Sequence, residues 1–296
     1  MKEKPFSKYQ ILANAVMIIW TLAIILPFIL LFMSSITDEN TLVANGYSFF
    51  PKKFSLASYS YIIKSGGQIL KAYGVSIGVT VVGTLLNVLL SALMAYPLSV
   101  KNLPGRNVMM FFVFFTMLFN GGIVPSYIMW TGTFHIKDTI FAQLLPNFLL
   151  SAWNVMMIRT YFTTSIPDGL YEAAEIDGAS QFTIFWKIVL PLGKPILVTM
   201  GTFAGLAYWN DWTNGLYYIV KNTGLYNVQN LLNQMVQNIQ FLTQSSNSNV
   251  TAAASTIPAT GIQMAIAFVA ILPIMLIFPS FQKCYAKGIA LGAVKG

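Results

Sequence analysis

This chain has one cysteine, one histidine and nine acidic residues in 296. Cys284 has no second thiol to pair with and no Cys or His at metal-ligand spacing, so a disulfide framework or a zinc site is not available to it. With His135 the only histidine, the usual Ser/His/Asp or Cys/His catalytic constellations are missing, and His135 reads as a loop residue. No G-x-x-x-x-G-K-[ST] phosphate loop occurs; Gly193-Lys194-Pro195 lacks both the upstream glycine and the hydroxyl. Charged residues make up 9% of the chain and hydrophobic ones 56%, with a mean hydropathy of +0.65. That balance describes a chain solvated by lipid.

Six apolar segments can be placed, at roughly 11–34, 72–100, 108–130, 139–162, 195–220 and 259–281, each long enough for a hydrocarbon core of ~30 Å. The expectation is an all-α membrane protein of six transmembrane helices and one domain over 1–296. The first segment follows Lys2, Lys4 and Lys8, but its apolar run is longer than the roughly 7–15 residues of a signal core, so it reads as a retained helix. Lys2, Lys4, Lys8, Lys101, Arg106, Arg159, Lys187, Lys194, Lys283, Lys287 and Lys295 fall on the side that holds both termini. Lys52, Lys53, Lys64, Lys71, Lys137 and Lys221 fall on the other. The bias puts both termini in the cytoplasm of a multi-pass cell-membrane protein. The net charge of +8 is then mainly a topology signal. No clustered basic and aromatic pattern suggests a nucleic acid partner.

Three stretches are not explained by crossing a bilayer: the external segment of about 36–70, where Pro51-Lys-Lys-Phe-Ser-Leu-Ala-Ser-Tyr59 suits a short interfacial or docking element or a plain connector, and the two loops that follow. The loop 164–194, expected on the cytoplasmic side, holds Glu172-Ala-Ala-Glu-Ile-Asp-Gly178 and, nine residues later, Ile188-Val-Leu-Pro191. Pro167 and Asp168 suit a helix entry, the acidic residues suit the positive end of its dipole, and Gly178 suits its stop. A second short helix can begin near Ser180. Ala173 and Ala174 would leave a small-residue surface for close approach of another protein, with Glu172 and Asp177 offering carboxylates to basic partners. In the external loop 221–258, residues 227–240 place Val228, Leu231, Leu232, Met235, Val236 and Ile239 on one helical face and uncharged Asn and Gln on the other.

The loop motif, the run Leu118-Phe-Asn-Gly-Gly-Ile-Val-Pro125, the run Trp209-Asn-Asp-Trp212 and the tail Lys287–Gly296 together resemble the carbohydrate-type ABC importer permeases, of the MalG-like and LplC/YtcP-type group. The resemblance covers essentially the whole chain. It implies a MetI-like permease fold in which the EAA loop is a coupling helix held by an ATPase subunit. Carried over, that role falls on Glu172, with Ala173, Ala174, Asp177, Gly178, Ile188, Leu190 and Pro191 completing the motif. It also implies that the tail, Gly292, Ala293, Val294, Lys295 and Gly296, reaches the ATPase dimer. Implied partners are a second, related permease chain in a heterodimer, two ABC ATPases that bind the ATP and Mg, an extracytoplasmic solute-binding protein and an oligosaccharide. The chain itself would bind no cofactor and catalyse no reaction.

Polar residues inside apolar spans need a partner or a water-filled cavity. Asn147 and Asn154 read best as interhelical hydrogen-bonding groups. Asn120, Asn210 and Asp211, with Trp209 and Trp212 beside them, are candidates for the substrate pathway. Gln229, Asn230, Asn233 and Gln237 are candidates for docking the binding protein, since the resemblance puts that contact in this loop. A non-sugar solute (peptide, amino acid or polyol) remains the alternative cargo. A secondary transporter would need ionisable groups buried mid-span, and only Arg159 and Asp211 come close. A scaffold without transport would show a docking loop as well.

Overall fold

The computed structural model describes residues 8–64, 66–244 and 260–276. In chain order its helices are α1 (Lys8–Ser35), α2 (Glu39–Asn45), α3 (Ala57–Lys64), α4 (Gly66–Ser99), α5 (Arg106–Leu118), α6 (Ile123–Ile128), α7 (Phe141–Leu144), α8 (Ala152–Ser165), α9 (Asp168–Ile176), α10 (Gln181–Ile184), α11 (Leu190–Leu192), α12 (Lys194–Asn210), α13 (Thr213–Tyr218), α14 (Val228–Gln244) and α15 (Thr260–Leu276). Among the described residues there is no strand, only an isolated antiparallel bridge between Thr37 and Phe54. The chain is all-α, as its hydropathy implies. Two compact units are formed, one within Met1–Ile69 and Leu232–Ile274, the other within Leu70–Leu231 and Met275–Gly296.

In the first unit α1 is apolar on every side, and none of its most hydrophobic stretch is covered by protein. A helix hydrophobic all round and left uncovered is one built to face lipid or another membrane chain. Its C-terminal end is tied to α3 by Ser35 and Tyr59, whose hydroxyls lie 2.8 Å apart. The Glu39 carboxylate at the start of α2 accepts the backbone N–H of Thr260 and of Gly261, both at 2.8 Å. A carboxylate at the N-terminus of α15 satisfies two donors that have no partner within the helix, and it complements the dipole. Ile62, Ile262, Ala265 and Ile266 close the core there, with Leu232 and Met235 of α14 against them.

The second unit is organised around α4 and α12. A Cβ on Gly201 would meet Val88 and Thr84, and one on Gly205 would meet Thr84 and Thr80. This small-xxx-small stripe lets the two helices approach closely, a common device where lipid gives no hydrophobic drive to helix association. Further along, Gly83 lies under the ring of Tyr208, whose hydroxyl donates to the Leu144 carbonyl at 2.8 Å. Ala92, Ala95, Leu98, Val113, Val155, Ile158, Phe162 and Met200 join α4, α5, α8 and α12 in one apolar core, which continues into the segment after α8.

Helices α1 and α4 are long and apolar enough to cross a membrane, and two further candidates appear if each bent pair is taken as one span. The third expected segment, 108–130, is such a pair: α5 and Ile123–Thr133 meet at 110°. The bend has a local cause. Asn120 accepts the Gly122 N–H at 2.8 Å and Gly122 takes φ 88°, a left-handed conformation suited to glycine. The fourth, 139–162, is helical only in α7 and from Ala152 onward, because Pro146 and Asn147, at φ 67°, interrupt it. In the fifth, 195–220, α12 ends at Asn210 and the chain restarts as α13. Described helix in the sixth, 259–281, is α15.

Candidate functional site

Pro167 opens α9, and a Schellman turn closes it. Gly178 at φ 78° takes the left-handed position; its N–H donates to the Glu175 carbonyl at 3.0 Å, and the Ala179 N–H donates to the Ala174 carbonyl at 2.9 Å. Ser180 then caps α10, accepting from the Thr183 N–H at 3.3 Å. A wide turn over Phe185–Val189 leads into α11 and, past Gly193, into α12 with a bend of 78°. Gly193 is buried against Phe162, and a Cβ there would come within 2.6 Å of that ring.

The motif residues divide into two groups. Ala174 is 7% exposed and packs into the core with Phe162, Ile166, Ile184, Phe185 and Val189. Ile188 and Leu190 are half-buried against the same core. Together with Gly178 they shape and hold the loop. Glu172, Ala173, Asp177 and Pro191 are exposed. So the alanine pair is not one surface: only Ala173 faces out, because adjacent helical positions lie about 100° apart. The sequence assigns no docking role to Ile176, which is 86% exposed beside Ala173 and Asp177, nor to Phe182, which it places only on the second short helix and which is 66% exposed in α10. Their apolar character in a polar loop is the signal that could have found them. Lys101 and Asp168 form an ion pair joining the segment after α4 to the first turn of α9. Tyr171 is half-buried against the core, and burial pushes its phenol pKa up.

The other candidates scatter. Asn120 is exposed and makes the turn at the α5 bend. Asn210 is exposed and donates to the Leu206 carbonyl at 2.9 Å, and Trp212 is exposed after it. Trp209 and Asp211 are buried. Asp211 accepts from the Thr213 N–H at 3.0 Å, the Thr213 hydroxyl at 2.6 Å and the Asn214 N–H at 3.3 Å, while its other oxygen and Trp209 Nε1 are buried without a hydrogen-bond partner. Asn230 is also buried: its amide donates to the Trp212 carbonyl, and its N–H to Asn227 at 2.8 Å. Asn227 donates in turn to the Asp211 carbonyl at 2.6 Å and to Gln143 at 3.3 Å. Asp211 and Asn230 therefore belong to one buried amide network, which fastens the start of α14 to the end of α12. Gln229 is half-buried; Asn233 and Gln237 lie farther along α14 and bond to each other at 3.3 Å. Gly292, Ala293, Val294, Lys295 and Gly296 fall outside the described residues. Among the described residues no group of His, Cys, Asp or Glu is placed to hold a metal.

Residues 74–290 match the family described as binding-protein-dependent transport system inner membrane component. The chain belongs to that family. It is 36% identical over 272 residues to Protein LplC of Bacillus subtilis strain 168, covering 92% of this chain and 90% of that one. To the polygalacturonan/rhamnogalacturonan transport system permease protein YtcP of the same organism it is 36% identical over 288 residues, covering 97% and 98%. Among solved structures it superposes on a chain of a bacterial ABC transporter involved in the import of the acidic polysaccharide alginate, with a TM-score of 0.78 and 26% identity, over 95% of this chain and 99% of that one. The all-helical fold is thus that of ABC importer permeases, and the chain is a membrane permease component of a binding-protein-dependent system.

Proposed function

We propose that this chain forms one half of the passage in an ATP-driven importer of oligosaccharides, with both termini in the cytoplasm. A second, related permease chain supplies the other half, two ATPase subunits bind the ATP and Mg, and a solute-binding protein delivers the sugar outside. The observation that carries the reading is the exposed face of α9, where Glu172, Ala173, Ile176 and Asp177 stand out from a loop that Ala174, Ile188 and Leu190 fix in the core. A carboxylate, a methyl group and an isoleucine side by side suit a cleft with a basic residue at its rim. ATP binding closes the ATPases, α9 moves with them, and the transmembrane passage turns outward; hydrolysis resets it. The names of the relatives support a sugar as cargo.

The test is ATP hydrolysis by the reconstituted complex in lipid with its binding protein. The probe panel is neutral oligosaccharides, uronate oligosaccharides, and amino acids and short peptides as controls. Stimulation by one glycan class supports the importer and names its cargo. Activity raised only by a control solute keeps the coupling reading and overturns the sugar.

A further inference from the structure

We infer that Gln181 is a positioning residue that carries displacement of α9 into α4, through a hydrogen-bonded chain from Glu175 to Tyr96. The inference rests on the reading of α9 as the helix that docks the ATPase. The Tyr96 hydroxyl, near the C-terminal end of α4, donates to Gln181 Oε1 at 2.6 Å. Gln181 Nε2 donates to Glu175 Oε1, on α9, at 2.8 Å. One amide thus joins the two helices, accepting with one atom and donating with the other, and this fixes its orientation.

The remaining ties between α9 and α4 are less directional. The Tyr96 ring lies 6.5 Å from Tyr171 of α9 and 5.4 Å from Phe185, centroid to centroid. Such apolar contacts persist when one ring slides over another, because they scale with area and not with angle. The Lys101–Asp168 pair is more than half exposed on both sides, so solvent and salt weaken it. Hydrogen bonds fall off steeply with angle and with a few tenths of an ångström. The Tyr96–Gln181 bond is part-buried, while the Gln181–Glu175 bond is exposed like the Lys101–Asp168 pair, so the chain is a directional tie of α9 to α4 whose better-shielded half lies at Tyr96. Gln181 and Glu175 are themselves exposed but lie outside the docking set of Glu172, Ala173, Ile176 and Asp177.

The experiment uses the reconstituted full complex and the solute panel above, reading unstimulated ATPase, stimulated ATPase and solute moved per ATP. Gln181→Met keeps the side-chain length and removes both hydrogen bonds. Its expected effect is a fall in stimulation and in solute per ATP of about two- to tenfold, the range that one or two hydrogen bonds span. Unstimulated hydrolysis and ATPase co-purification should stay at the wild-type level. Tyr96→Phe should match it, and the double variant should be no worse than either single one. The paired exchange Gln181→Glu with Glu175→Gln preserves a donor and an acceptor at each junction and should restore coupling, which repair of packing alone would not do. Wild-type coupling in Gln181→Met, failure of the paired exchange, or loss of ATPase co-purification overturns the inference. A wild-type complex that no solute stimulates overturns the proposed function and this inference with it.

Discussion

Asn154 of α8 donates to Asn87 of α4 across 2.7 Å, and the Asn87 amide in turn donates to the Phe148 carbonyl at 2.6 Å. Both side chains are buried in apolar surroundings, so each is the other's replacement for water. Removing one partner leaves the other unsatisfied. Asn87→Leu should therefore lower the melting temperature of the detergent-purified complex, by a cost of roughly 0.6–1.7 kcal/mol, the span measured for polar pairs between membrane helices. Docking of the ATPase should be unaffected, since neither residue touches α9. An unshifted melting curve in Asn87→Leu would show that the pair contributes nothing.

Three glycines of α4 separate backbone propensity from packing. A Cβ on Gly83 would stand 2.5 Å from the Tyr208 ring, whereas Gly74 and Gly78 have nothing within 4 Å. Tyr208 is 2% exposed and held by its bond to Leu144, so its ring has little room to yield. Gly83→Ala should destabilise the permease by about 1–3 kcal/mol, as overpacking does. Gly78→Ala should be neutral or stabilising by roughly 0.5–1 kcal/mol through helix propensity. Thermal melts of the two variants check this, and equal shifts would refute the close approach of α4 to Tyr208.

Asp138 joins two loops of the second unit. Its Oδ1 accepts the backbone N–H groups of Val220 and Lys221 at 2.7 Å each and of Asn222 at 3.3 Å. The Lys221 N–H is the largest influence holding its carboxyl below the ordinary aspartate range, with Val220, Asn222 and the Lys137 charge adding to it. A depressed folded value means stability present above the unfolded pKa and lost as the pH falls through the folded one. Asp138→Asn, which tolerates the φ of 58° at this position and stands in for the uncharged acid, should therefore melt earlier than wild type near neutral pH. The two curves should converge only after the pH has dropped below roughly 3.9. Convergence already at mildly acidic pH would mean that this carboxylate is not what joins the loops.

Hydropathy made the helical class legible, and the spacing from Glu172 to Pro191 made the loop legible, because both are local patterns read along one chain. Part of what stayed hidden is local, the turns set inside apolar runs, and part depends on partners far away in sequence. The break at Asn120-Gly121-Gly122 lies inside an apolar run long enough to pass for an uninterrupted span. Pro146 with Asn147 does the same in the fourth segment. Asp211 and Asn230 carry polar side chains in places that suited a pathway or a docking face, yet they serve the amide network that reaches Gln143 and Asn227. Glu39, which caps a helix 221 positions away, gave no sign of that role. Within the motif itself, one-letter spacing could not tell the outward Ala173 from the inward Ala174.

That last distinction leads to a paired test of the loop. Glu172 is exposed on α9, whereas Ala174 is buried in the core with Phe162 and Phe185. Glu172→Ala removes a charge without disturbing packing, so membrane insertion and the melting temperature of the permease pair should stay unchanged. ATPase co-purification should fall, by a factor of roughly 10 or more if the carboxylate meets a basic group in the partner's cleft. Ala174→Leu should act the other way round, costing about 1–3 kcal/mol of stability through overpacking, so that the melting temperature falls and docking weakens only as a result. Melting curves and ATPase co-purification on the same preparations separate the two routes. If Glu172→Ala binds its ATPase and transports at the wild-type rate, α9 docks through other residues, and Ile176 becomes the first to examine.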